Sequence, residues 1–135
     1  MRQHGRPRMR LRTGGGRVTS LEDTVHALRE ATTAEAVALI NRDGSIVVTE
    51  LPRGISQETF SIMCAAILGA GMTAATELGH TAPHRVVLES DDSILLIQEV
   101  GRRAMLVIAF PPERHVSEIV TAVERFAQVA AKDLG

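Results

Sequence analysis

Between Glu58 and Glu77 the chain runs for eighteen residues without a charge. Ser56 is placed to cap a helix there, Glu58 sits in its first turn, and Gly79 stands where a glycine ends a helix. Helical spacing puts Phe60, Met63, Cys64, Ile67, Leu68, Met72 and Leu78 on one face, which is expected to lie on a sheet. The other face carries Ala65, Ala66, Gly69, Ala70, Thr73 and Ala74. A surface helix shows polar residues on its outer face, and this one does not. A transmembrane span needs about 20 strongly apolar residues, and this run is shorter and rich in Ala, Gly and Thr. A chain of 135 residues makes one domain and has too little left over to bury both faces. The small face is therefore expected to pack on another helix. The simplest partner is the same helix of a second copy, since two-fold self-association is the commonest assembly. Gly69 and Gly71 each cost about 1 kcal/mol of helix propensity relative to alanine, which calls for a steric reason such as close contact.

The flanking pattern gives the rest of the fold. Val18, Leu21, Val25 and Leu28 mark a helix over about 20–32, with Thr19 and Glu22 resembling a capping box. Ala36–Ile40 and Ile46–Thr49 flank Asp43-Gly44, a hairpin signal that asks for positive φ at both turn residues. Arg85–Ser90, Ile94–Glu99 and Met105–Phe110 read as three more strands, separated by Asp91-Asp92 and Gly101-Arg102. Val116, Ile119, Val120, Val123, Phe126, Ala127 and Ala130 form the stripe of a last helix, over about 116–132. Short connections make antiparallel neighbours. The two strands around Leu96 and Leu106 are apolar on both sides and need two covers. The expected fold is an α+β, α/β/α sandwich of order helix-ββ-helix-βββ-helix, with a five-stranded, mainly antiparallel sheet. The third strand alternates, Val86 and Leu88 against Arg85, Val87 and Glu89, and reads as an edge.

Residues 1–17 form a different object. They hold six arginines and no acid, while residues 18–135 hold nine basic residues and all sixteen acids, a net charge of −7. Pro7 and Gly14-Gly15-Gly16 oppose a helix, so 1–17 is expected to be a disordered Arg-rich arm and 18–135 the folded domain. Such an arm can touch phosphate, anionic lipid or an acidic protein face.

The composition excludes several functions. There is no tryptophan or tyrosine, so the body lacks the aromatic platforms on which single-strand nucleic-acid binders stack bases. One cysteine, Cys64, makes neither an internal disulfide nor a cysteine zinc site, which suits a cytoplasmic protein. It sits among apolar neighbours as a small hydrophobe. His80 and His84 have metal-like spacing, but Pro83 breaks the helix that would align them. No phosphate loop exists, and no acid–base pair is evident. No cofactor, metal or catalytic residue is expected. Arg53, Arg102 and Arg103 fall in loops, as candidates for contact with a partner.

Three segments carry a family resemblance: Ala36–Val48 around Asn41-Arg42-Asp43-Gly44-Ser45, the small-residue helix ending Glu77-Leu78-Gly79, and Val86–Ser90 leading into Leu95-Leu96-Ile97. With the element order, they resemble the roadblock/dynein light chain family over about 18–135, closest to its free-standing prokaryotic members. The resemblance implies a profilin-like roadblock fold. It also implies a homodimer that pairs the second helices and joins the third strands, through Arg85, Val87 and Glu89. It implies a non-catalytic regulator or scaffold of a Ras-like small GTPase, including a GTPase-activating role. His115-Val116-Ser117-Glu118 departs from the glycine that members often carry there. Two other functions stay open: a small-molecule sensor, and an adaptor whose arm binds nucleic acid or an anionic membrane.

Overall fold

The computed structural model describes residues 10–12 and 18–134. Arg10–Arg12 (β1) pairs antiparallel with Val18–Ser20 (β2), so part of the arm expected to lack structure forms a short ribbon. Residues 1–9 and 13–17 of the arm lie outside the described residues.

Leu21–Thr32 is α1. Its cap is Ser20 rather than Thr19: the Ser20 hydroxyl accepts the Asp23 N–H at 3.1 Å, one position later than the capping box predicts. Thr33 ends it in the left-handed conformation, at φ 54°. Ala36–Asn41 (β3) and Ile46–Glu50 (β4) form the first hairpin. Only Gly44 in its turn has positive φ. Gly44 N–H donates to the Asn41 carbonyl at 2.9 Å and Asn41 N–H to that of Ser45 at 2.8 Å. The connection is a three-residue loop closed by a left-handed glycine, so Asp43 does not need the positive φ expected of it.

Gln57–Glu77 is α2, capped by Ser56. It ends in a Schellman arrangement, with His80 N–H on the Ala75 carbonyl and Gly79 N–H on that of Thr76. Arg85–Glu89 (β5), Ile94–Val100 (β6) and Ala104–Phe110 (β7) complete a five-stranded antiparallel sheet in the order β4-β3-β7-β6-β5. Val116–Leu134 is α3.

Strand alternation builds two cores. Val37, Leu39, Leu96, Leu106, Ile108 and Phe110 face α1 and α3, together with Val25, Ile119 and Val123. Ala38, Ile40, Ile97, Met105 and Val107 face α2, which buries Cys64 and Leu68 against them. The central strands are covered on both faces, so their apolar residues need no alternation with polar ones.

Candidate functional site

Two helices share one face of the sheet, and α2 alone covers the other. A single helix buries one stripe, so α2 sinks Ser61, Cys64 and Leu68 and leaves its far side in solvent. That side carries Ala66, Gly69, Ala70, Thr73 and Ala74, all exposed. Ala65 is half-buried instead and packs against the cluster around Cys64 and Leu68.

The largest departure from the sequence expectation concerns Met63 and Leu78. Both read as sheet-facing, yet they are 53% and 77% exposed. The large-residue arc of the helix is wider than the stripe that the sheet can receive, and Leu78 stands one residue past its end. Ile62 beside Met63 is exposed as well. The solvent face is therefore small in the middle and bulky at its ends, with no charge between Glu58 and Glu77. By length and composition α2 is also long and apolar enough to cross a membrane; in this fold its inner stripe is spent on the sheet.

The two glycines of α2 have different surroundings. A Cβ on Gly71 would come within 3.1 Å of the Val86 side chain, so Gly71 serves the contact of α2 with its own β5. A Cβ on Gly69 would meet nothing within 4 Å.

β5 is an edge strand, as its alternation implies. Its Arg85 is tied down: it donates to Gln98 Oε1 at 3.1 Å, its cross-strand neighbour, and to Glu124 of α3 at 3.2 Å. Val87 packs toward α1 and α3, while Glu89 is exposed.

The loop arginines separate. Arg102 and Arg103 lie at the end of the sheet where β3 stops, because Asn41 pairs with Ala104 and the Arg103 carbonyl accepts Arg42 N–H at 2.8 Å. Arg53 follows β4, whose Glu50 pairs with Val37, and so sits at the opposite end. Arg102 and Arg103 therefore share one end of the sheet, and Arg53 lies at the other.

Two polar groupings have no local signal. Arg42 donates to Glu99 Oε1 at 3.0 Å, and His84 Nδ1 bonds the other Glu99 oxygen. His84 is therefore engaged by a carboxylate rather than by His80. His26 and Arg29 of α1 meet Glu50 of β4 at 3.0 and 3.4 Å. Residues so distant in sequence meet only through the fold. No group of three or more metal-ligating side chains occurs among the described residues. Cys64 is buried, and loss of water pushes its thiol up to about 11. The clefts on this face are open. One of about 420 Å³ is lined by Asp43, Gly44, Ser45, Ile46, Glu58 and Ile62. A smaller one of about 140 Å³ lies between Leu51, Ile55 and Phe60. The Ser45 hydroxyl and N–H hold the Asp43 carboxyl below its usual range, so it stays an anion at the mouth of the first.

Fold and surface together define a class: a small α/β/α protein whose most distinctive surface is one uncharged helix face. The chain belongs to the Roadblock/LC7 domain family, whose model matches residues 20–110. No curated protein matches it in sequence. Its fold is similar to that of Myxococcus xanthus MglB, at 18% identity and a TM-score of 0.74, over 78% of this chain and 87% of that one. A Roadblock/LC7 domain from Streptomyces avermitilis superposes with a TM-score of 0.78 at 16% identity, over 84% and 97% of the two chains. Schizosaccharomyces pombe profilin superposes at 0.61 and 13% identity, over 79% and 93%. Roadblock and profilin-like proteins thus share this architecture.

Proposed function

We propose that the protein is a homodimeric regulator or scaffold of a Ras-like small GTPase, working by contact and not by chemistry of its own. The observation that carries this reading is the exposed, uncharged face of α2 on a Roadblock/LC7 fold. Such a face costs little to desolvate and lets a second backbone approach closely. The open edge of β5 offers unpaired backbone groups beside it, so a second copy can extend both layers at once. Arg102 and Arg103, side by side and exposed, are the basic groups we assign to the GTPase contact. The lone Cys64 agrees with a cytoplasmic setting. Stabilising one arrangement of the switch loops would make the protein a GTPase-activating partner, and holding the GTPase without reshaping it would make it a scaffold.

The test mixes purified protein with a Ras-like small GTPase from the same organism, loaded with GDP or with a non-hydrolysable GTP analogue. Binding in at least one nucleotide state is expected, weakened by Arg102→Ala/Arg103→Ala. No binding in either state overturns the proposal. Hydrolysis measured in the same mixture separates activator from scaffold.

A further inference from the structure

We infer that the arginine-rich segment 1–9 docks on its own domain, in the cleft between the β3–β4 turn and the start of α2, with an arginine held between Asp43 and Glu58 over Ile46 and Ile62. The inference stands apart from the GTPase reading above and from any self-association.

The cleft of about 420 Å³ is open to solvent and has two apolar walls. They are Ile46 of β4, 36% exposed, and Ile62 of α2, 52% exposed. Gly44 lies directly against Ile62, since a Cβ on it would stand 3.1 Å from the Ile62 side chain. The lining carries two acids. Asp43 is held as an anion by the hydroxyl and N–H of Ser45, and its carboxylate has further lone pairs for a second donor. Glu58 is exposed and takes part in none of the ion pairs among the described residues. Arg42, adjacent to Asp43 in sequence, is spent on Glu99 instead. Apolar walls beside two anions fit a cation on a long apolar stem. Arginine lays its methylenes on such a surface and turns a planar, weakly hydrated head to carboxylates. Lysine, a compact and strongly hydrated point charge, gains less there.

The chain carries such an occupant. Residues 1–9 hold Arg2, Arg6 and Arg8 and no acid or lysine, while residues 18–135 carry −7. The path is short enough. Only Thr33–Glu35 separate α1 from β3, so the helix runs back along the strand. The start of α1, with the ribbon ahead of it, therefore lies toward the end of the sheet that carries the β3–β4 turn and the cleft. β1 lies beside α3, on the face opposite α2. From Arg10, nine residues reach up to about 30 Å. A helix layer is about 10 Å thick, so the segment can pass around the end of the sheet to the α2 side.

The test uses the full chain. With no native tryptophan or tyrosine, Ile46→Trp places a single fluorescent reporter on the cleft wall. Tryptophan keeps that wall apolar and itself favours an arginine over its ring. Quenching by uncharged acrylamide reads how far the reporter is covered. Arg2→Gln/Arg6→Gln/Arg8→Gln in this background is expected to raise quenching about twofold, because the covering stems lose their anchoring heads. Asp43→Asn/Glu58→Gln should do the same. So should raising salt from about 0.1 M to about 1 M, which cuts the Debye length from about 10 Å to about 3 Å. A peptide of residues 1–9, added in excess, should restore protection to the arm variant and not to the cleft variant. Unchanged quenching in the arm variant, with native circular dichroism, overturns the docking. Full protection in the cleft variant overturns the site. Protection that is lost on dilution overturns the intramolecular contact in favour of a second copy's segment.

Discussion

Gly71 of α2 lies against Val86 of β5 so closely that a Cβ added to the glycine would stand 3.1 Å from a Val86 methyl. This contact sets how near α2 comes to the edge of the sheet. Gly71→Ala should gain helix propensity of up to about 1 kcal/mol and lose much of it to crowding. In a Val86→Ala background the crowding is gone, and the gain should emerge. Chemical denaturation of the four proteins of this double-mutant cycle measures the coupling. Equal effects of Gly71→Ala in both backgrounds would show that the contact is without consequence.

Gly69, two residues earlier, points into open space. Gly69→Leu should therefore leave the protomer folded, with a native circular dichroism spectrum. If α2 is the self-association face, the same variant should weaken the dimer by tenfold or more in sedimentation. A full-strength dimer of the Gly69→Leu variant would place the interface elsewhere.

Gly44 and Gly79 both adopt left-handed φ, at 93° and 83°. Alanine is strained at either, by about 1 kcal/mol. At Gly44 a Cβ would also stand 3.2 Å from the Ile62 backbone Cα, which cannot turn aside, whereas at Gly79 it meets nothing within 4 Å. Gly44→Ala should thus cost clearly more than Gly79→Ala, about 2–3 kcal/mol against about 1. Urea midpoints with matched slopes would decide it.

Burial pushes the Cys64 thiol from 9.0 up to about 11. Between those values the unfolded chain releases a proton that the native chain retains. Stability should then fall as pH rises through this window, by up to about 1.4 kcal/mol per pH unit. With one lysine and no tyrosine, few other side chains titrate there. Cys64→Ala should flatten the decline when unfolding is compared on either side of the unfolded thiol's range; an unchanged slope would assign it elsewhere.

Much of the architecture was legible because periodicity reports directly on burial. Alternation in Arg85–Glu89 marked an edge, and unbroken apolar runs in β6 and β7 marked strands covered twice. Local signals misled where neighbours one residue apart compete. Thr19 and Ser20 are both competent caps, and backbone geometry selected Ser20. Asp43-Gly44 suits more than one hairpin turn, and the bonds from Asn41 selected the looser one. The meetings of Arg42 with Glu99 and of His26 with Glu50 had no signal, since each depends on strands and helices from separate parts of the chain.

The sequence by itself determined that α2 has one large arc and one small one, because residue identity fixes side-chain volume and helical period fixes its direction. Only the tertiary structure decided how much of the large arc the sheet could take. One helix on a sheet buries a stripe narrower than that arc, so Cys64 and Leu68 are covered while Met63 and Leu78 remain in solvent. The same geometry divided the two glycines, giving Gly71 to the protomer's own strand and leaving Gly69 on the face turned outward.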